Sequence, residues 1–408
     1  METLTFVIVG HIDHGKSTLI GRLLYDTNSL SGDKIDEIKK TSKDLGRQTE
    51  FAYLLDHLEE ERQQGITIET TQVFFNTDKR KYVIIDAPGH VEFVKNMITG
   101  ASHAEAAVLI IDAKEGVKQQ TKRHAYILSL LGIKQVITLI NKLDLTGYEQ
   151  KVFDSLVEEI SIFFKTIGLS CSYFIPCSAL SGENIVQKGQ KAVFYQGPSF
   201  LEALDSLESR PKLSSAELIF PVQDVYKNND KRIIAGRLES GKLCQGQHIK
   251  IMPHEQVTSI TAIEKFPGNI ACAQPGESIG ITTADSVFSD RGDIICAKDS
   301  RLQFQNVFSA NIIWLSKRNF LKDEKLTIKC STQSTPCKIS RIIKKIDSST
   351  LEVIKEDAQD LKNLEVATVE IQTKKPIAIK NFDDIQELGR FVLVRDENTC
   401  AGGIVTSL

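Results

Sequence analysis

Four residues near the N-terminus have the types and the spacing of a phosphate-binding loop. They follow the apolar run "LTFVIV" and match the pattern G-x-x-x-x-G-K-[ST] at Gly10, Gly15, Lys16 and Ser17. Glycines allow backbone angles that aim N–H groups at an anion, and the N-terminus of a following helix adds further donors. We expect Lys16 to reach the β- and γ-phosphates of a nucleotide and to act in catalysis, and the Ser17 hydroxyl to ligate Mg²⁺.

Three neighbouring residues complete this predicted loop. Asp13 and His14 lie between the two glycines and are expected to shape the loop, and Thr18 follows Ser17 within the predicted nucleotide site. The alternative interpretation is a glycine-rich turn with an incidental lysine. Further motifs at the ends of other strands argue against that alternative.

The stretch "DAPGH" follows the apolar run "KYVIID" and has the residues of a γ-phosphate sensor. Asp86 is expected to hold Mg²⁺ through water, and the Gly89 amide to contact the γ-phosphate. His90 comes next and is placed to orient the attacking water, which makes it a candidate catalytic residue. The alternative for His90 is a place at the start of a helix without a catalytic role.

The stretch "NKLD" follows the run "QVITLI" and predicts a guanine-binding element. Asn141 and Asp144 are expected to read the base edge, since a carboxylate accepts from both N1–H and N2–H₂ of guanine. Adenine offers no such donor pair, so this element selects GTP over ATP. Lys142 is expected to cover the base plane with its aliphatic stem.

A fourth element, "CSAL", follows the run "YFIP". Ser178, Ala179 and Leu180 are expected to lie at the nucleotide, with the Ala179 amide donating to guanine O6. Each short motif is weak alone, but four motifs in this order at strand ends predict a P-loop GTPase that binds GTP or GDP with Mg²⁺.

The apolar runs of residues 1–208 alternate with helical segments, which predicts a doubly wound, mostly parallel α/β sheet that binds ligands at the carboxyl ends of its strands. After the linker "ESRPKLSSAE" the runs are short, β-branched and interrupted by turn residues. We therefore expect an α/β P-loop GTPase domain over 1–208, followed by two antiparallel β-barrel domains over 217–299 and 302–408.

Composition excludes several classes of protein. A formal net charge of −3 over 408 residues argues against a nonspecific polyanion binder. No apolar stretch approaches the roughly 20 residues of a membrane helix, and the N-terminus lacks the pattern of a signal peptide. Eight scattered cysteines are expected to be buried reduced thiols rather than a disulfide framework, which favours the cytoplasm.

The stretch "EEERQQGITIE" resembles the first switch of the translation-factor class of GTPases. The resemblance implies that Thr67 is the nucleotide-state sensor, acting in catalysis by ligating Mg²⁺ and touching the γ-phosphate only when GTP is bound. The whole chain resembles elongation factors of the Tu and 1-alpha type, which have a GTPase domain and two β-barrels.

Within that class the chain looks most similar to the large, GTPase (CysN-type) subunits of bacterial sulfate adenylyltransferase. The similar stretches include "STLIGRLLYDT", "FYQGPSFLEALDSLE" and "TPCKISRIIKKIDSSTLE". His14 departs from that family, which usually has Asp there, and "PVQDVYK" and "GRFVLVRD" resemble elongation factor 1-alpha. A fused adenylylsulfate-kinase domain is not expected.

Two functions follow from the resemblance. In the first, GTP hydrolysis drives formation of adenylyl sulfate by a separate, smaller ATP- and sulfate-binding catalytic subunit (CysD type), in a heterodimer or higher assembly. In the second, the chain delivers aminoacyl-tRNA or a protein factor to the ribosome. The second requires a basic surface, for which "KNNDKR" and "RIIKK" are the short candidates, expected to be solvated turns or strand ends. No membrane partner is expected.

Overall fold

The computed structural model describes residues 3–30, 72–86, 104–208, 214–228 and 231–407. The chain divides into two compact units. Unit 1 comprises Met1–Ser209 with Ser348–Thr350, and unit 2 comprises Arg210–Asp347 with Leu351–Leu408. The domain boundaries at 208, 217, 299 and 302 remain predictions.

Unit 1 contains a six-stranded sheet. Its strands are β1 Thr3–Gly10, β2 Gln72–Asn76, β3 Lys81–Asp86, β4 Ala106–Asp112, β5 Gln135–Asn141 and β6 Cys171–Pro176. They lie in the order β2-β3-β1-β4-β5-β6, and all neighbours are parallel except the β2–β3 pair. The prediction of a mostly parallel sheet is confirmed.

The strand that the sequence analysis missed is the edge strand β2. Its side chains alternate between exposed and buried, because only one face of this short run packs on the core. All seven residues of β4, in contrast, are buried. A central parallel strand such as β4 is covered on both faces, so its sequence is continuously apolar and easily predicted as a strand. The half-exposed edge strand β2 lacks such a continuous apolar sequence.

Four helices and a single 3-10 turn accompany this sheet in the described ranges of unit 1. They are α1 Lys16–Asp26, α2 Gln119–Leu130, the 3-10 helix Leu143–Thr146, α3 Gln150–Thr166 and α4 Phe200–Ser206. Ser199 caps α4 in a capping box with Glu202. The sequence pattern also predicts helical segments near 33–62 and at 90–101, and both lie outside the described residues. No described helix has the length and apolar content needed to span a membrane.

The first part of unit 2 is a closed antiparallel barrel. Its strands are β7 Ile219–Asn228, β8 Lys231–Arg237, β9 Leu243–Cys244, β10 His248–Met252, β11 Gln256–Lys265, β12 Gly268–Ile270, β13 Cys272–Ala273, β14 Ser278–Thr283 and β15 Ile294–Ala297. Six of them close a ring in the order β10-β15-β7-β8-β14-β11, since β11 pairs back to β10. The strands β9 and β13 form a separate two-stranded ribbon.

The second part of unit 2 is another closed antiparallel barrel. Its elements are β16 Phe304–Trp314, β17 Phe320–Leu321, β18 Leu326–Cys330, β19 Gln333–Ile346, β20 Val353–Ala358, β21 Asp360–Leu361, β22 Val366–Ala378, α5 Gln386–Gly389, β23 Arg390–Arg395 and β24 Asn398–Ser407. The ring runs β18-β23-β24-β16-β22-β19 and closes from β19 to β18. The predicted fold class, a P-loop domain followed by two antiparallel barrels, is confirmed.

The cysteines correct one expectation. Cys244 and Cys272 lie opposite each other on the β9–β13 ribbon and form a disulfide, so the prediction of eight reduced thiols is wrong at this pair. The other six cysteines are free, and all of these except Cys171 are buried. The sequence carried no sign of the pair, because the two residues are 28 positions apart and meet only through strand pairing.

We expect the substitution Cys244→Ser to destabilise the barrel domain. Opening a loop of 28 residues restores chain entropy to the unfolded state, worth roughly 3 to 4 kcal/mol in the chain-entropy model. Urea unfolding of the barrel without reductant measures the loss, and wild type treated with reductant should match the variant. The control Cys171→Ser should leave the response to reductant unchanged. Eight titratable thiols in the denatured, unreduced protein would contradict the prediction.

Candidate functional site

The loop between β1 and α1 requires glycine at both of its ends. Gly15 has φ +93°, and a Cβ at this position would lie 2.4 Å from Asn141 Nδ2. A Cβ on Gly10 would lie 2.7 Å from the carbonyl oxygen of Ile110 on the neighbouring strand. Any other residue would push the loop away from β4 and β5. The glycines therefore bring the loop close to the elements that carry the predicted base-binding residues.

The N-terminus of α1 has donors available to an anion. No side chain caps this 11-residue helix, and no acidic residue lies in its first turn. Lys16 lies in that turn, and its Nζ donates to the carbonyl oxygens of Gly10 and His11 at 2.9 and 2.8 Å. Burial lowers the pKa of Lys16 to about 8. A phosphate group would find N–H groups and an ammonium group together at this point.

The residues predicted to hold Mg²⁺ fit a hard cation where they are described. Ser17 and Thr18 lie in the first turn of α1, and Asp86 ends β3, which runs parallel to β1 in a register that pairs Asp86 with Ile8. The Asp86 carboxylate is near enough to Lys16 to interact with it electrostatically. Hydroxyl and carboxylate oxygens are the ligands that Mg²⁺ prefers. Ser17 and Asp86 would hold the ion, which would offset phosphate charge there.

Asn141, at the end of β5, connects three loops. This side chain is 3% exposed; its Nδ2 donates to the carbonyl oxygen of His14 at 2.9 Å, and its Oδ1 accepts from the Ala179 amide at 2.8 Å. The Ala179 amide, predicted to donate to guanine O6, is thus engaged by Asn141 in this structure. Asn141 holds the phosphate loop and the "CSAL" loop together, which leaves reading of the base edge mainly to Asp144.

Lys142 and Asp144 follow Asn141 in a tight turn. Lys142 has φ 60°, and its Nζ donates to the carbonyl oxygen of Asp13 at 2.5 Å. Asp144 lies in the first turn of the 3-10 helix Leu143–Thr146, which is anchored by Leu143 N–H donating to the carbonyl oxygen of Cys177. Among the described residues, no hydrogen bond or ion pair engages the Asp144 carboxylate. Its oxygens are available to a base.

The remaining two residues of "CSAL" differ in exposure. Ser178 is buried, and its Oγ accepts from the Ser181 amide at 3.3 Å, which shapes the turn. Leu180 is 43% exposed. Arg22 Nη1 donates to the Leu180 carbonyl oxygen and helps to hold the loop. Leu180 offers an apolar surface to the flat face of a base.

Two buried histidines lie within or next to the phosphate loop, His14 in the loop itself and His124 on α2. The His14 side chain is fully buried, with Nδ1 3.2 Å from the carbonyl oxygen of Ile110 and Nε2 3.7 Å from Glu115 Oε2. Burial lowers the pKa of His14, and burial lowers the pKa of His124 on α2 to about 3. Both rings are therefore neutral at physiological pH. They add packing, not charge, behind the phosphate site.

The sequence analysis missed Asp112, the last residue of β4. Its side chain is 2% exposed, and its Oδ2 lies 2.8 Å from Lys142 Nζ. The available signal was a single carboxylate at the carboxyl end of an otherwise apolar strand, "AVLIID". The run was recognised as a strand, but its terminal Asp was assigned no role.

Three predicted site residues lie outside the described residues: Thr67, Gly89 and His90. The predicted roles of Thr67 and His90 in catalysis, and of Gly89 at the γ-phosphate, remain predictions. The carboxyl ends of the parallel strands β1, β3, β5 and β6 lie at one edge of the sheet, as expected for a doubly wound fold.

Residues 1–210 match the family model for the elongation factor Tu GTP binding domain. The chain belongs to this family. Residues 231–296 match elongation factor Tu domain 2, and residues 307–406 match the GTP-eEF1A C-terminal domain-like family. The resemblance to the translation-factor class of GTPases, inferred from "EEERQQGITIE" and from the whole chain, is thereby confirmed, and unit 1 contains a GTPase domain of this family.

Similar proteins include an elongation factor and sulfate adenylyltransferase subunits. Elongation factor 1-alpha of Methanopyrus kandleri is 38% identical over 100% of this chain and 98% of its own length. Sulfate adenylyltransferase subunit 1 of Francisella tularensis subsp. novicida is 36% identical over 98% of this chain and 86% of its own. The Buchnera aphidicola protein of the same name is 37% identical over 99% and 87%. Both predicted subfamilies are thus represented among the relatives.

Proposed function

We propose that this protein is the GTPase subunit of a sulfate adenylyltransferase, in which GTP hydrolysis drives formation of adenylyl sulfate and pyrophosphate from ATP and sulfate. The proposal includes a smaller catalytic subunit of the CysD type, which binds ATP and sulfate, in a heterodimer or higher assembly. The observation that carries it is the similarity, over 98% of this chain, to a protein named sulfate adenylyltransferase subunit 1.

The proposed GTPase reaction assigns roles to residues of unit 1. Lys16 and the first-turn amides of α1 bind the phosphates, Ser17 and Asp86 hold Mg²⁺, and Asp144 binds the guanine edge. Thr67 and Gly89 report the γ-phosphate, and His90 orients the water that attacks it. Magnesium, when bound, supplies charge compensation at the β- and γ-phosphates. Coupling to the partner requires contacts that differ between the GTP and GDP states.

One of the two basic segments of unit 2, "RIIKK", favours this proposal over a role in tRNA binding because its Lys345 is buried and paired. In "RIIKK", Lys345 is 4% exposed, and its Nζ lies 3.4 Å from Asp360 and 3.1 Å from Glu365. Arg341 pairs with Asp357 at 2.6 Å. The expectation of a solvated strand end is wrong for Lys345. Lys345 is thus neutralised within the barrel and has little attraction for phosphates, whereas the Arg341–Asp357 pair is exposed to solvent.

The free cysteines support a cytoplasmic location, which belongs to the same proposal. Six cysteines have no disulfide partner, and such thiols are typical of a reducing compartment. The Cys244–Cys272 pair is the exception, and it would have to resist reduction there.

Delivery of aminoacyl-tRNA or a protein factor to the ribosome is the second candidate. The observation in its favour is the 38% identity to an elongation factor 1-alpha over 98% of that protein's length. The match of residues 307–406 to the eEF1A C-terminal family points the same way.

An exchange assay separates the two functions. With the smaller subunit present, we expect sulfate-dependent exchange between ATP and pyrophosphate to rise when GTP is added. GTP hydrolysis would drive the formation of adenylyl sulfate, which is unfavourable by itself. The stimulation should disappear with Lys16→Met and persist with the surface substitution Lys122→Met. GTP-dependent, salt-sensitive retention of aminoacyl-tRNA, without such exchange, would overturn the proposal and support the second candidate.

A further inference from the structure

The carboxylate of Asp112 is buried and fully engaged. Its Oδ1 accepts from the amides of Lys114 and Glu115 at 2.8 and 3.2 Å, and its Oδ2 lies 2.8 Å from Lys142 Nζ. Burial alone would raise the pKa of Asp112, but the hydrogen bonds from Lys142 and from the two amides hold it below its usual value. The Asp112 carboxylate is therefore ionised, although it lies near the proposed binding site for the nucleotide phosphates.

The sheet register brings this carboxylate to Lys142. Asp112 and Asn141 are the last paired residues of the parallel strands β4 and β5, and the Ala113 amide donates to the Asn141 carbonyl oxygen at 2.8 Å. Lys142 then leaves the strand in a left-handed conformation. This turn directs the lysine back across the end of β4, where Asp112 is located.

Besides its ion pair with Asp112, Lys142 contacts the phosphate loop. The same Nζ donates to the carbonyl oxygen of Asp13 in the phosphate loop. One ammonium group thus bridges the end of β4 and the phosphate loop, while its backbone belongs to the base-binding turn. A lysine side chain without such anchors samples many rotamers, and ordering it on binding costs conformational entropy.

We propose that Asp112 is a positioning residue for the guanine nucleotide, which acts by holding Lys142 across the phosphate loop and the base-binding turn. Its carboxylate orients the ammonium group, and Lys142 in turn keeps its aliphatic stem extended over the base. The inference rests on the proposed guanine-nucleotide site and adds a residue that touches neither phosphate nor base.

Dissociation of fluorescently labelled GDP tests the role. Asp112→Asn keeps an oxygen for the Lys114 and Glu115 amides but removes the charge that holds Lys142. We expect dissociation to be about 10- to 100-fold faster, the scale of a lost hydrogen bond to a charged group. The matched control is Asp293→Asn in unit 2, another buried carboxylate, which accepts from the Asp290 amide at 3.0 Å. It should dissociate GDP at the wild-type rate.

A double-mutant cycle shows whether the effect passes through Lys142. In a Lys142→Met background, Asp112→Asn should change the dissociation rate less than twofold, because the contact is already lost. A rate within twofold of wild type for the single Asp112→Asn variant overturns the proposal. So does an undiminished effect in the Lys142→Met background, which would mean that Asp112 acts through the Lys114–Glu115 turn.

Two safeguards keep the test decisive. If Asp112→Asn fails to fold, Asp112→Ser replaces it, since a hydroxyl also accepts from a following amide but carries no charge. Wild type is measured first. Failure of wild type to bind labelled GDP overturns the proposed function together with this inference, whereas normal binding with unaffected variants overturns only the role of Asp112.

Discussion

Replacing Lys16 with methionine is expected to weaken GTP binding by about a hundredfold or more, the scale of removing one partner of a desolvated charge pair. In the structure, Lys16 Nζ donates to two carbonyl oxygens of its own loop, Gly10 and His11. Methionine has a similar length and apolar stem but offers no donor and no charge. The phosphates would then bind only to backbone N–H groups of α1.

Titration calorimetry with GTP and Mg²⁺ measures this loss. Lys122→Met is the matched control, since Lys122 lies on α2 and forms a partly exposed pair with Glu159 at 3.1 Å. Such surface pairs contribute little, so its affinity should equal that of wild type. Equal affinities of Lys16→Met and wild type would remove Lys16 from the site.

The lowered pKa of Lys16 predicts that the affinity for GTP decreases as pH rises. Burial lowers the pKa to about 8 without ligand, and bound phosphates would raise it by favouring the charged form. Above pH 8, the Lys16 amine must therefore take up a proton when GTP binds. The affinity for GTP should be highest near pH 7 and should fall as pH rises from 8 to 9, by at most tenfold for each pH unit.

The comparison of affinities at pH 7 and pH 9 checks this sign. The lowered pKa values of His14 and His124 keep both rings neutral across that range, so they contribute no slope. Lys16→Met should bind weakly at both pH values and lose the slope. An affinity that rises with pH, or a slope that persists in the variant, would assign the titration to another group.

Replacing Asp144 with asparagine is expected to exchange guanine for xanthine selectivity. The carboxylate accepts from the N1–H and N2–H₂ groups of guanine, whereas the introduced amide donates to the 2-oxo group of xanthine. Two lost charge-assisted hydrogen bonds, together with an unpaired donor, should lower GTP affinity by about a hundredfold or more. Asp144 suits this role because its carboxylate is not engaged by any other described residue.

Competition between GTP and xanthosine triphosphate measures the exchange. The control Asp154→Asn changes an exposed carboxylate on α3 and should keep the preference for GTP. If Asp144→Asn retained guanine selectivity, the base edge would have to be read by another group. Asn141 is a poor substitute, since both of its polar atoms already join neighbouring loops.

The fold class and most of the candidate nucleotide site could be predicted from local patterns in the sequence. The phosphate loop is a contiguous stretch, so the spacing of Gly10, Gly15 and Lys16 specifies it without long-range information. The central strands were equally clear, because a parallel strand buried on both faces must be apolar throughout. Base recognition by Asp144 was inferred from the same kind of local pattern at the end of β5.

The contacts between residues far apart in the sequence became visible only in the folded chain. The register of β4 and β5 places Asp112 beside Lys142, and the pairing of β9 with β13 joins Cys244 to Cys272. The fold also turns Asn141 inward to the phosphate loop. These contacts depend on strand order and register, which arise from packing of the whole domain. No local spacing of residue types encodes them, so the sequence predicts candidate groups for the chemistry but not the contacts that position them.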